Sequence, residues 1–244
     1  ARIVVYKHND MQDLEAKILA TPCSRGLIVS DAVFSMDGDI VDLPALVALG
    51  QKYHLLTMID EAHATGVIGK TGHGTVEHFG NTVSPDILMG TLSKALGAEG
   101  GYACASKVII EYLKNKARSF IFATSQTPAT LAAALRAIEV LEGEPQRAQN
   151  LQHNVEFFLN ALHAEGVEAY SPTAIIPIII GDEKSALQVA DELLANGVLA
   201  PAIRYPTVAK GTARLRVALL ATHTEAELSQ TAKLIGAAIR KYKK

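Results

Sequence analysis

Cysteine is scarce: Cys23 and Cys104 are the only two, both among apolar or small residues. That excludes a disulfide framework and points to a reducing cytoplasm. Charge of one sign is not in excess either, with a formal net charge of -2 and a pI near 6.5. A chain so balanced offers no global electrostatic case for nucleic acid or an anionic membrane. Long hydrophobic runs are missing. The longest, Ala174–Ile180, is interrupted by Pro177, so no membrane-spanning segment is expected. The opening residues Ala-Arg-Ile-Val-Val-Tyr-Lys read as a strand rather than a signal peptide, and no internal repeat or low-complexity stretch is present.

What is there is a globular composition, 49% hydrophobic and 20% charged, in 244 residues, enough for one large or two modest domains. Apolar runs of strand length fall at Ile3–Tyr6, Gly26–Val33, Leu55–Asp60, Asp86–Leu92 and Tyr102–Ala105. Helical spacing lies between them, at Met11–Ala20 after a capping Asp10, at Leu43–His54 with Pro44 near its start, at Val76–Phe79, at Lys107–Arg118 and from Pro128 to Leu141. Strands alternating with helices, and nearly continuous apolar strands, predict an α/β fold with a mostly parallel sheet covered on both faces. Gly143-Glu144-Pro145 breaks the chain. Beyond it, helices at Gln146–Ala164, Lys184–Asn196 and Glu225–Tyr242 and strands at Ile175–Ile180 and Ala213–Leu219 read as a smaller α+β domain. The expected division is 1–143 and 144–244.

In an open parallel sheet, ligands bind beyond the carboxyl ends of the strands. Three predicted strands end on reactive side chains: one at Lys94 among Thr91, Ser93 and Gly97, one at Asp60 with Glu61 and His63 beyond it, and one near Ser35. Lys94 reads either as a lysine snorkelling to water or as an amine tuned to bond a carbonyl cofactor. Asp60 alone also reads as a helix cap, His63 as a loop histidine and Ser35 as a turn residue; their joint placement at one sheet edge favours a shared site. A phosphate-cradling loop at Ala64–Thr71 fails, because Ala64 stands where glycine is needed and the acidic strand precedes the loop directly. His63, His73 and His78 lack the spacing of a metal site.

Three ordered motifs carry a resemblance: Phe-Ser-Met-Asp-Gly-Asp at 34–39, Asp-Glu-Ala-His-Ala-Thr-Gly at 60–66 and Gly-Thr-Leu-Ser-Lys-Ala-Leu-Gly at 90–97. With their spacing, and with similarity running from end to end, the chain resembles the α-oxoamine synthases, pyridoxal-phosphate enzymes of the aspartate-aminotransferase fold. The stretches Pro206–Arg216 and Ala221–Thr224 are most similar to the 8-amino-7-oxononanoate synthase branch of biotin biosynthesis, with glycine C-acetyltransferase close behind. The resemblance implies a large pyridoxal-phosphate domain followed by a small C-terminal domain. It implies that Lys94 bonds the cofactor covalently and later moves the substrate's α-proton, and that Asp60 pairs with the ring nitrogen. His63 is expected at the ring oxygen with Ser35 close by, and Thr91 at the phosphate. Thr124 and Ser125 match a loop that reaches the neighbouring subunit's phosphate, which implies a homodimer with shared sites. Arg216, rather than Arg214, is expected to hold an amino acid's carboxylate. The implied reaction joins an amino acid, L-alanine in the favoured branch, to an acyl thioester such as pimeloyl-CoA, with loss of carbon dioxide. A non-catalytic partner subunit is the alternative from another class, and Lys94 argues against it. Members of the family carry a glycine-rich phosphate-binding turn and a ring-stacking histidine in an N-terminal part expected before Ala1, so an incomplete form of the enzyme is expected.

Overall fold

Local signals place the first helices. Asp10 accepts hydrogen bonds from the backbone N–H groups of Gln12 and Asp13 and caps α1 (Met11–Ala20). Asp42 does the same through Ala45 for α2 (Leu43–Tyr53), with Pro44 in its first turn. Leu43, Leu46, Val47 and Gly50 form the buried stripe of α2, which packs on β2 (Leu56–Asp60).

The computed structural model describes residues 1–242, which form two compact units. The first joins Ala1–Val33 to Val41–Pro145; the second joins Phe34–Ile40 to the chain from Gln146 onward. In the first unit β1 (Leu27–Asp31), β2 and β3 (Ile87–Thr91) run parallel, and β4 (Gly101–Ala105) pairs antiparallel to β3, in the order β1-β2-β3-β4. The short helix α3 (Thr75–His78) sits in the connection from β2 to β3, and α4 (Lys107–Lys116), α5 (Arg118–Ile121) and α6 (Pro128–Gly143) follow β4. The expected α/β arrangement with a mostly parallel sheet is present.

Three expectations need correction. Ile3–Tyr6 is not a strand: Ile3 and Val5 are 86% and 79% exposed, and no ladder partner pairs with them among the described residues. β-branched residues there satisfy propensity without a neighbour to bond. The helix expected to run to Arg118 breaks at Ala117, whose backbone is extended, so a separate turn of helix, α5, follows it. Among the described residues the sheet is covered more fully on one face than on the other. Ile28, Ser30, Thr57 and Ile59 are buried, whereas Leu27, Val29 and Leu56 on the other face are nearly half exposed. Continuous apolar runs specify that both faces are apolar and leave open what covers them. A two-residue strand was not foreseen in the second unit.

That unit holds α7 (Gln146–Ala164), β5 (Ile175–Gly181), α8 (Glu183–Ala195), the short β6 (Ala202–Ile203), β7 (Ala213–Ala218) and α9 (Glu225–Tyr242). Its antiparallel sheet runs β5-β7-β6, with β7 in the centre. Phe158, Leu162, Ile176, Ile178, Leu193, Leu215 and Ile235 are its largest fully buried side chains. Among the described residues no helix is long and apolar enough to cross a membrane.

Candidate active site

Parallel pairing brings the carboxyl ends of β1, β2 and β3 to one edge. Asp31 lies in register with Asp60, and Asp60 with Met89. Neighbours in register share a face of the pleat, so two carboxylates stand side by side at the strand ends. Burial first, and then the Asp60 charge, push the Asp31 carboxyl above its usual range; Lys94 and His8 act in the opposite direction. Asp60 Oδ1 accepts the Ala62 N–H at 2.8 Å, so Asp60 caps a turn rather than a helix, and among the described residues no hydrogen bond reaches Oδ2. The next residue, Glu61, is buried and accepts the Thr75 N–H; burial raises its carboxyl.

Lys94 is presented by the loop from Leu92 to Gly100. Leu92 N–H donates to the Gly100 carbonyl (2.9 Å), Ala98 N–H to the Leu92 carbonyl (2.8 Å) and Gly97 N–H to the Lys94 carbonyl (3.1 Å). Lys94 Nζ lies 2.9 Å from His63 Nε2. His63 itself rides on the turn after β2, where the Ala64 and Thr65 N–H groups both donate to the Glu61 carbonyl. The two loops approach closely at Gly66: its φ is +78°, and a Cβ there would sit 2.6 Å from the Ala95 methyl. Thr91 Oγ1 is 2.6 Å from Ser93 Oγ and donates to the Gly100 carbonyl at 3.0 Å. Thr65 Oγ1 meets the Tyr102 hydroxyl at 2.8 Å, and burial pushes that phenol up.

Sequence reasoning named Lys94, His63, Asp60 and Thr91, and the structure gathers them at this edge, with Lys94 and His63 in direct contact. It did not single out Asp31, Thr65, Tyr102 or Gln126. Asp31 had a signal, being the acid at the end of a strand run parallel to the one ending at Asp60. Gln126 had none. Its Nε2 donates to the Glu99 carbonyl at 2.8 Å, tying the coil after α5 to the lysine loop. Thr124 and Ser125 lie exposed in that coil, and among the described residues no hydrogen bond links them to Lys94 or His63.

Ser35 and Arg216 belong to the second unit. Arg216 Nε donates to the Ser35 carbonyl at 2.5 Å, and burial lowers the guanidinium's proton affinity. Arg214 is committed elsewhere, its Nη1 lying 2.6 Å from Asp37 Oδ1. Of the two arginines, Arg216 therefore keeps the more accessible nitrogen edge.

Comparison with known proteins follows the same lines. The chain is 48% identical over 233 residues to 8-amino-7-oxononanoate synthase 1 of Bacillus subtilis, covering 95% of this chain and 59% of that relative. It thus spans about three-fifths of the length of the curated relatives it matches. Serine palmitoyltransferase from S. paucimobilis, solved with a bound PLP–myriocin aldimine, superposes with a TM-score of 0.93 at 29% identity, over 99% of this chain and 62% of that one. The 8-amino-7-oxononanoate synthase of Francisella tularensis gives 0.81 at 29% identity, over 97% and 68%. The model of the aminotransferase class I and II family matches residues 1–235, and the chain belongs to that family.

Proposed function

We propose that this chain carries the catalytic lysine of a pyridoxal-phosphate-dependent acyltransferase that condenses L-alanine with a pimeloyl thioester. The α-carbon of alanine forms a bond to the thioester carbonyl carbon, the thiol leaves, carbon dioxide is lost, and an amino ketone remains. The observation that carries the reading is the contact of Lys94 Nζ with His63 Nε2 at 2.9 Å, on a sheet edge where neighbouring strands end on Asp31 and Asp60.

The donor set fits the cofactor's chemistry. Lys94 offers an amine for its aldehyde carbon, Asp60 a carboxylate for its ring nitrogen, His63 an imidazole for its ring oxygen and Thr91 a hydroxyl for its phosphate. When bound, the cofactor supplies an electron sink for the charge that develops at the substrate's α-carbon. The protein's part is then positional and protonic. Lys94 Nζ takes the α-proton and later returns one, and His63 Nε2, within hydrogen-bond reach, holds the amine in place between those events. Asp60, anchored through Oδ1, keeps a negative charge fixed in a site where reorientation would cost rate. Arg216 takes the amino acid's carboxylate through its two Nη atoms, a geometry that suits guanidinium. The roles of Ser35, Thr124 and Ser125 toward the cofactor, and a homodimer with shared sites, rest on the motif resemblance. The scarcity of cysteine supports a cytoplasmic setting for the reaction. The first unit is read as the cofactor domain and the second as the small C-terminal domain.

The synthase reading is supported by the curated relatives, such as the Bacillus subtilis one at 48%; the palmitoyltransferase and Francisella tularensis synthase structures, at 29% each, do not separate the two. Carbon dioxide and amino ketone should form from L-alanine with pimeloyl-CoA. Turnover only of glycine with acetyl-CoA would move the assignment to a glycine C-acetyltransferase, and turnover only of L-serine with palmitoyl-CoA to a palmitoyltransferase.

A further inference from the structure

We infer that Arg214 and Asp37 are a positioning pair that fixes the guanidinium of Arg216 for an amino acid's carboxylate; the inference rests on the role proposed for Arg216 above. Residues 214 and 216 alternate with the buried Leu215 along β7, so both arginines leave the same face of the sheet. Both reach the same short turn. Arg214 Nη1 donates to the Met36 carbonyl (3.1 Å) and to Asp37 Oδ1 (2.6 Å), while Arg216 Nε donates to the Ser35 carbonyl. Arg214 is 7% exposed, and a guanidinium so buried is tolerated only with its charge and donors satisfied. Asp37, Met36 and the Thr212 carbonyl, which takes Nε at 3.1 Å, do that.

The turn is rigid for reasons of its own. Phe34 N–H donates to the Asp39 carbonyl at 3.0 Å, and Gly38 N–H to the Phe34 carbonyl at 2.8 Å. The Gly38 carbonyl accepts from Thr173 Oγ1 at 2.9 Å. Gly38 has a φ of +73°, and a Cβ there would lie 2.1 Å from the Ile175 carbonyl oxygen, so the turn presses on β5 where only glycine fits. With Nε held by this fixed carbonyl, the Arg216 guanidinium plane is set and its Nη1–Nη2 edge is the part left to meet a ligand. Among the described residues those two nitrogens make no hydrogen bond. Arg214 does not compete for the carboxylate, because Asp37 already neutralises it.

The test uses the cofactor-loaded protein and follows saturation by the change in visible absorbance. L-Alanine is compared with ethylamine, which has the amine and lacks the carboxylate. Asp37→Asn and Arg214→Lys should each weaken L-alanine about tenfold, the loss expected when one charge-assisted contact is misplaced. Affinity for ethylamine and for pyridoxal phosphate should stay at the wild-type value, and Arg216→Lys should weaken L-alanine at least as much. Equal weakening of L-alanine and ethylamine would mean a general structural role and overturn the inference. So would unchanged L-alanine affinity in both variants while Arg216→Lys loses it. Wild-type L-alanine affinity in Arg216→Lys would instead remove the role of Arg216, and the inference with it. Asp37 is 46% exposed, so Asp37→Asn opens no cavity and keeps the test valid should Arg214→Lys fold poorly.

Discussion

The helices of the second unit and the last three helices of the first are built from similar apolar patterns and end in different surroundings. α7 buries Leu151, Val155, Phe158 and Leu162 along one stripe, and α8 and α9 bury matching stripes. By contrast α4 and α5 bury nothing and α6 buries only Ala134, while Val108, Tyr112, Phe120, Phe122, Leu131 and Leu135 are exposed. An amphipathic pattern names the face that wants cover; it does not name the cover. The second unit supplies its own. The apolar face of α4–α6 has little among the described residues and the Leu27–Val29 face of the sheet is about half exposed; surfaces of this kind mark contacts with other chain segments or subunits.

The contrast can be broken most directly at Phe158, which is fully buried. Phe158→Ala should cost about 3–5 kcal/mol in denaturant unfolding, through lost transfer energy and a residual cavity. A cost near zero would show that the second unit is not packed as described. A smaller effect is expected at Glu61, where a loop is packed on a carboxylate rather than on side chains. Glu61→Leu leaves the buried Thr75 N–H without its acceptor and should cost about 1–3 kcal/mol. Glu61→Gln keeps an acceptor and isolates the charge. Because burial raises the folded carboxyl above its ordinary 4.5, the folded state binds the proton more tightly than the unfolded chain. Stability from this group is therefore full below that ordinary value and is lost as pH rises through the raised one. The stability difference between Glu61→Gln and wild type should grow in the variant's favour as pH increases from 4.5, and a difference flat with pH would contradict the assignment. The smallest effect belongs to Leu135→Ala on the open face of α6, within about 0.5 kcal/mol at concentrations where the protein is monomeric. A cost approaching that of Phe158→Ala, or one that grows with protein concentration, would show that this face is covered in solution.

Much of the secondary structure was legible because its signals are local. Asp10 and Asp42 cap their helices, Pro44 and Pro128 sit in first turns, and the strands ending at Asp60 and Thr91 are apolar runs of strand length. That Lys94, His63 and Asp60 meet at one edge was legible for a related reason, since strand ends in a parallel sheet share an edge. What was not legible depends on long-range placement. Ile3–Tyr6 has the propensity of a strand and, among the described residues, no partner to ladder with. Nothing in Phe34–Ile40 announces that this segment folds with residues beyond Gln146; that is decided by Arg214, Ser171 and Thr173, far away in sequence. Gln126 reaches Glu99 across 27 residues, through a backbone position where Gly100 leaves room.

The central claim is that Lys94 is the amine this site was built to present. It is tested most directly by titrating the protein with pyridoxal phosphate, following visible absorbance, reducing with borohydride and mapping the labelled peptide. A saturable band with the label on Lys94, lost in Lys94→Ala, is the predicted result. A saturable band that survives Lys94→Ala, or label scattered over surface lysines, would contradict it.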